Sequence, residues 1–264
     1  MAGADERIDE LSGFALDIVN RLGEQACNIS GRGENRVKFD QGLVTEAEIQ
    51  LSEFFTRELN AAFPEHRIFP DLREDNAYTH EEKRFLWIFD PLDGVANFQA
   101  DIPIWGISLA LFENYWPVFG AFYMAATDDL FQARAGGTAY WNDRPIHVSS
   151  QDTVNDESLL LVYSRFHQRY RATFPGKIRN LGCAAAHLCY VAAGCAEAAV
   201  VANESYQELA AASIIVNAAG GKIHKLDGGE FFLSDYLHGD KEEEHLIALP
   251  PGLHSQVRNH LQTV

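Results

Sequence analysis

Basic side chains are scarce in this chain. Lys and Arg number 21 against 38 Asp and Glu, for a formal net charge of −17. A basic face for nucleic acid is therefore not expected. The same excess would repel a phosphorylated ligand unless bound cations offset it, so a metal site is the feature to look for. Cysteine is also scarce. Cys27, Cys183, Cys189 and Cys195 form no C-x-x-C pair, which argues against a disulfide framework and for a reducing, cytoplasmic setting. No apolar run reaches the roughly 18 residues of a membrane span, and the first residues, Met-Ala-Gly-Ala-Asp-Glu-Arg, do not read as a signal peptide. Neither a G-x-S-x-G elbow, a Walker or Rossmann glycine loop, nor an H-E-x-x-H pair occurs. Serine-nucleophile chemistry has no support.

What is present is enough apolar material, 47% of 264 residues, for one large domain or two layered subdomains, divided here as 1–150 and 151–264. Residues 5–29 carry Ile8, Leu11, Ala15, Ile18, Val19 and Leu22 at helical spacing. Thr45 with Glu48 three residues on reads as a capping box opening a second helix that Pro64 stops. Short apolar runs between turn residues predict strands at 67–69, 85–89, 105–112, 117–125, 130–135 and 139–141. Beyond residue 150 the pattern predicts strands at 158–162, 196–202 and 245–249. Helices are expected at 183–193, 206–219 and 254–264, and a hairpin around Asp227-Gly228-Gly229. Helices, then a mostly antiparallel sheet, then alternating strands and helices imply an α+β fold with two sheets.

The chemistry concentrates in Asp90-Pro91-Leu92-Asp93-Gly94-Val95-Ala96-Asn97-Phe98. A buried strand delivers Asp90 to its end, Pro91 fixes a turn, and Asp93 points back beside Asp90. A helix starting near Gly94 would aim free N–H groups at the same point. Two carboxylates beside a helix N-terminus suit hard cations and a phosphate together. Spacing alone equally fits a plain surface turn.

The segment Asp90-Pro91-Leu92-Asp93-Gly94, followed by Asn97-Phe98, resembles the metal-binding signature of the inositol monophosphatase and fructose-1,6-bisphosphatase superfamily. Leu43-Val44-Thr45, Arg179-x-x-Gly182-x-Ala184-Ala185 and the helix from Ala210 to Gly221 are similar to further family segments, in family order. The resemblance implies a layered α/β/α/β/α sandwich, commonly dimeric. It implies hydrolysis of a small phosphate monoester with two or three Mg²⁺ ions, Mn²⁺ being an alternative; the charge balance and the lack of a long apolar run argue against nucleic acid and membrane as partners. Residue by residue, it implies metal ligation by Asp71, Asp90, Asp93, Glu208 and the Leu92 carbonyl. It gives Glu48 a part in positioning water, and lines the phosphate and substrate pocket with Gly94, Val95, Gly182, Cys183 and Ala184.

The chain departs from the family at several of these positions. Glu48 and Glu208 are each one methylene longer than the family's Asp, and Asp71 is one shorter than its Glu. Val95 stands where the family has a Thr whose hydroxyl orients water, and a misplaced nucleophile can cost about 10²-fold in rate. Val201 replaces a Glu that meets sugar hydroxyls in inositol-phosphate-hydrolysing members, which argues against myo-inositol phosphate as the preferred substrate. These departures leave a second reading, a catalytically silent relative that binds metal or a phosphorylated ligand. Arg165, Arg169 and Arg171 fall in a segment that would meet a second phosphate or simply face solvent. Cys183 and His187, at i and i+4, would supply two ligands of a transition-metal site, too few by themselves for zinc.

Overall fold

The structure is a computed structural model that describes residues 2–30, 46–69, 85–236 and 245–264. Its helices are α1 (Ala2–Ile29), α2 (Glu46–Ala62), α3 (Val95–Gln99), α4 (Phe166–Arg169), α5 (Ala184–Ala192), α6 (Tyr206–Ala218) and α7 (His254–Asn259). A seven-stranded sheet runs in chain order through β1 (Arg67–Phe69), β2 (Phe85–Asp93), β3 (Gly106–Glu113), β4 (Trp116–Met124), β5 (Asp129–Arg134), β6 (Ala139–Trp141) and β7 (Arg144–Ile146). The pairing of β1 with β2 is parallel and the rest is antiparallel. Of the later strands, β8 (Leu159–Val162), β10 (Lys177–Arg179), β11 (Ala198–Ala202), β12 (Lys222–Lys225) and β13 (His245–Leu249) form a five-stranded sheet in the order β10-β8-β11-β13-β12. The short β9 (Tyr170–Ala172) and β14 (Leu261–Thr263) pair with each other.

The alternation of side chains along each strand builds the layers. On β2, Phe85, Trp87 and Phe89 face a cluster made with Leu11, Ile18 and Leu22 of α1 and Phe55 and Leu59 of α2. Leu86 and Ile88 face the opposite way, onto the Ala-rich α5 and α6. The same helices take Leu161, Val201 and Ala248 from the second sheet. That sheet's other face, with Leu160, Val162, Val200 and Ile247, packs on Phe166, Leu253 and Val257. The order is therefore α1/α2, sheet, α5/α6, sheet, α4/α7: a five-layer α/β/α/β/α sandwich, as the resemblance implied. One apolar cluster is shared between the two sheets through the middle helices.

Two expectations fail at the C-terminus. Residues 254–264 are not one helix: α7 ends at Asn259 and β14 follows. Leu253, Val257 and Leu261 recur at four-residue spacing and all enter one cluster, so helix periodicity matched a segment whose last apolar residue is on a strand. The hairpin after Gly229 is reduced to one bridge, His224 to Glu230, and a 3₁₀ turn occupies Leu233–Tyr236. The partner of β12 is β13 instead. The expected capping residue Thr45 lies outside the described residues, and α2 is described from Glu46.

Candidate functional site

In a regular strand, positions 90 and 93 would point to opposite faces, because their spacing is odd. The ladder between β2 and β3 breaks this parity. Asp90 lies opposite Ser108 while Asp93 lies opposite Gly106, so three steps on β2 answer two on β3. The bulge resets the phase and lets both carboxylates approach one another at the strand's end. Both are buried, each 8% exposed.

Asp90 accepts a hydrogen bond from the Leu92 amide at its Oδ1 (3.2 Å). Its Oδ2 is buried with no hydrogen-bond partner among the described residues. Burial raises the Asp90 carboxyl well above the usual carboxylate range, and the nearby charges of Glu208, Asp93 and Glu48 push the same way. Asp93 is raised by burial and by Glu208, with hydrogen bonds opposing. The donors are the Ala185 amide (2.6 Å) and Cys183 Sγ (3.2 Å) to Oδ2, and the Ala184 amide (3.4 Å) to Oδ1. Asp93 thus caps α5 from another part of the chain. The cap position itself is Cys183, whose side chain makes no capping bond.

Glu208 sits in the first turn of α6. Its Oε2 accepts from the Ser205 amide (2.6 Å), and Ser205 Oγ accepts from the Glu208 amide (3.4 Å). This reciprocal capping box fixes the side chain at the helix start. Glu48 lies in the first turn of α2 and is half-buried; its charge reaches Asp90.

Gly94 caps α3 in the left-handed region (φ 85°), and a Cβ there would meet the Ile104 carbonyl oxygen at 2.9 Å. Val95 opens α3 and packs its half-buried side chain toward the outer cluster. Asn97 ties three segments together: its Nδ2 donates to the carbonyls of Ile104 (2.6 Å) and Leu181 (2.7 Å). Gly182 (φ 77°) lies against this amide, and an added Cβ would stand 2.9 Å from Asn97 Nδ2. The Leu181 amide donates to His187 Nε2 (2.9 Å). Cys183 and His187 therefore serve as local hydrogen-bonding groups, one to Asp93 and one to the loop before α5. His187 is buried, and burial pulls its pKa down to about 4, so the ring is neutral at pH 7.

Of the expected site residues, Asp90, Asp93, Gly94, Val95, Gly182, Cys183 and Ala184 come together around the bulge. Glu208 and Glu48 make themselves felt there through their charge. Asp71 lies outside the described residues. Among the described residues no group of three His, Cys, Asp or Glu side chains is close enough to hold a metal, so Asp90 and Asp93 offer a pair rather than a finished cage. A buried carboxylate oxygen without a partner is nonetheless costly, and a cation fits that position. Sequence reading named Ala185 and Asn97 only as parts of the resembling segments and His187 only as a candidate transition-metal ligand; it missed the hydrogen bonds by which they hold the site. The signal for the bond at Ala185 was a helix opening at a cysteine, a poor cap, which calls for a cap from elsewhere.

A model of the inositol monophosphatase family matches residues 9–260. The chain belongs to the inositol monophosphatase family. It is 30% identical to an inositol-1-monophosphatase of Mesorhizobium japonicum over 202 residues, 73% of this chain and 75% of that one. It is 26% identical to the Nus factor SuhB of Pasteurella multocida over 264 residues, 94% and 95% of the two chains. The solved structure of an IMPase from Thermotoga maritima superposes with a TM-score of 0.77 at 26% identity, covering 95% and 96%. The layered fold of this family member is thus the family's. Among its described residues no helix is long and apolar enough to cross a membrane.

Proposed function

We propose that this family member is an Mg²⁺-dependent phosphomonoesterase that hydrolyses a small phosphorylated metabolite by attack of water. The observation that carries the reading is the buried Oδ2 of Asp90 beside Asp93, without a hydrogen-bond partner among the described residues and within reach of the charges of Glu208 and Glu48. Asp90, Asp93, Glu208 and Asp71, with the Leu92 carbonyl, would hold two or three divalent ions, Mn²⁺ serving in place of Mg²⁺. Bound there, the ions supply positive charge for the phosphate and acidify a water. The chain's own groups do the rest. The amides of Gly94 and Val95 open a short helix whose first N–H groups have no intrahelical acceptor, and they orient the phosphate oxygens. Gly182, Cys183 and Ala184 wall the pocket. The protein acts in the cytoplasm as a homodimer.

Glu48 holds the attacking water in this reading, taking over the work of the absent threonine hydroxyl at Val95. Glu48→Gln is expected to lower turnover about 10²-fold, and Val95→Thr to change it little. A large gain from Val95→Thr with no loss from Glu48→Gln would refute that division of labour.

A second reading, a catalytically silent relative, is favoured by Val95, which offers no hydroxyl where the family has a Thr, and by the Pro70-Asp71-Leu72 segment, whose Asp is one methylene shorter than the family's Glu. Phosphate release from a panel of sugar, inositol and nucleotide monophosphates, with and without Mg²⁺, separates the two. The phosphatase reading expects Mg²⁺-dependent release from at least one substrate, lost in Asp90→Asn. Mg²⁺ binding without release from any substrate would establish the silent one.

A further inference from the structure

A row of side chains on the inner face of the seven-stranded sheet changes character at its end. In the ladder between β2 and β3, Leu86 lies opposite Phe112, Ile88 opposite Ala110, and Asp90 opposite Ser108. The first two pairs belong to the apolar cluster between the sheets. Asp90 and Ser108 continue the alternation, so their side chains leave the same face. The register shift of the bulge comes after this pair. Directly opposed residues carry Cβ atoms about 4.5–5.5 Å apart. A hydroxyl and a carboxylate at that spacing are within reach of one another.

Ser108 is fully buried, 0% exposed, and its Oγ has no hydrogen-bond partner among the described residues. Its neighbour on the other side, Phe122 of β4, offers none. The facing helices bring Ala185, Leu188, Leu209 and Ala212 into the same apolar cluster. A buried serine on a helix can satisfy itself locally, as Ser213 does by donating to the Ala210 carbonyl (2.9 Å). On a strand, Ser108 has no such turn behind it. Packing alone would be served by alanine, the residue at 110 on the same face. A buried hydroxyl without an acceptor costs stability instead.

The acceptor across the ladder is Asp90. Its Oδ1 takes the Leu92 amide (3.2 Å), and its Oδ2 is the buried oxygen without a partner among the described residues. Donor and acceptor, both unsatisfied, thus stand on directly paired residues. A turn of Ser108 about its Cα–Cβ bond, or one bridging water, joins them. An ionised carboxylate presents about four lone-pair sites, so it can accept from a hydroxyl and still bind a cation.

We infer that Ser108 is a positioning residue of the metal site: its hydroxyl donates to the Asp90 carboxylate and aims the remaining lone pairs at the cation. This rests on the reading of Asp90 as a metal ligand. Ser108 itself touches neither metal nor substrate. Metal-ligating carboxylates are commonly held by such a partner, whose removal weakens metal binding about 10–100-fold.

The test is Mn²⁺ binding to the full chain, measured by calorimetry in the wild type, Ser108→Ala, Asp90→Asn and the double variant. Ser12→Ala is the control, because its hydroxyl on α1 is also buried without a partner among the described residues. Ser108→Ala is expected to weaken Mn²⁺ binding about tenfold, and Ser12→Ala to leave it unchanged. In the Asp90→Asn background, where the ligand is already impaired, Ser108→Ala should cost less than about twofold. The metal-free urea midpoint of Ser108→Ala should not fall. Unchanged Mn²⁺ affinity in Ser108→Ala, or an equal loss in the Asp90→Asn background, would overturn the inference while the metal site stands. So would a fallen metal-free midpoint with Mn²⁺ affinity kept, which would make the hydroxyl a core contact. A wild type that binds no Mn²⁺ would overturn the metal-site reading and the inference with it.

Discussion

Asn97 and His187 show how single side chains hold the site without belonging to its chemistry. Removing the Asn97 amide strands the carbonyls of Ile104 and Leu181, and an unmade bond to a partly buried acceptor costs about 1–3 kcal/mol. Asn97→Ala is therefore expected to lower unfolding free energy by about 2 kcal/mol in urea titration, with the urea dependence unchanged. His187 makes a pH-dependent contribution of definite sign. Its pKa falls from 6.5 to about 4 on folding because burial penalises the charged ring. Between those values the unfolded chain binds a proton that the folded chain does not. Its contribution is complete above pH 6.5 and is lost as pH drops toward 4, on the order of 3 kcal/mol in all. Urea midpoints at pH 7 and pH 5 should differ markedly in the wild type. His187→Gln, which keeps an acceptor for the Leu181 amide and does not titrate, should flatten that difference.

At the scale of the element, the capping box of α6 joins stability to the site. Ser205→Ala removes the acceptor for the Glu208 amide, a loss of about 1 kcal/mol for a typical cap, readable as a fall in urea midpoint. It should also weaken divalent-cation binding, since Glu208 loses one of the contacts that aim it. This helix was legible in the sequence, from Tyr206 to its glycine stop, as were the strands from 67 to 141 within a residue at either end, except that β2 runs on past the expected end at 89 to Asp93. Long apolar runs between turn residues admit few other readings. The bulge at Asp90–Asp93 was not legible, because the count of residues on the partner strand decides it and no local pattern records that count. The short α4, β9 and β10 escaped because three or four residues show no period. Leu261 misled because four-residue spacing is met equally by a helix and by a helix followed by a strand.

The whole molecule brings distant segments to one corner: the bulged β2, the start of α5, the start of α6 and the start of α2. Their order in the chain gives no hint of this meeting, and the motif resemblance carried it where periodicity did not. In a chain of net charge −17, burying Asp90 and Asp93 together is unfavourable for folding by itself, and a divalent cation would offset it while favouring the folded state. Mn²⁺ binding, followed by the loss of its free-ion paramagnetic resonance signal, tests this most directly. The account predicts saturable binding by the wild type, weakened at least tenfold in Asp90→Asn and in Glu208→Gln, whose amide oxygen still serves the capping box. Wild type that leaves the free-ion signal unchanged, or variants that bind as the wild type does, would contradict it.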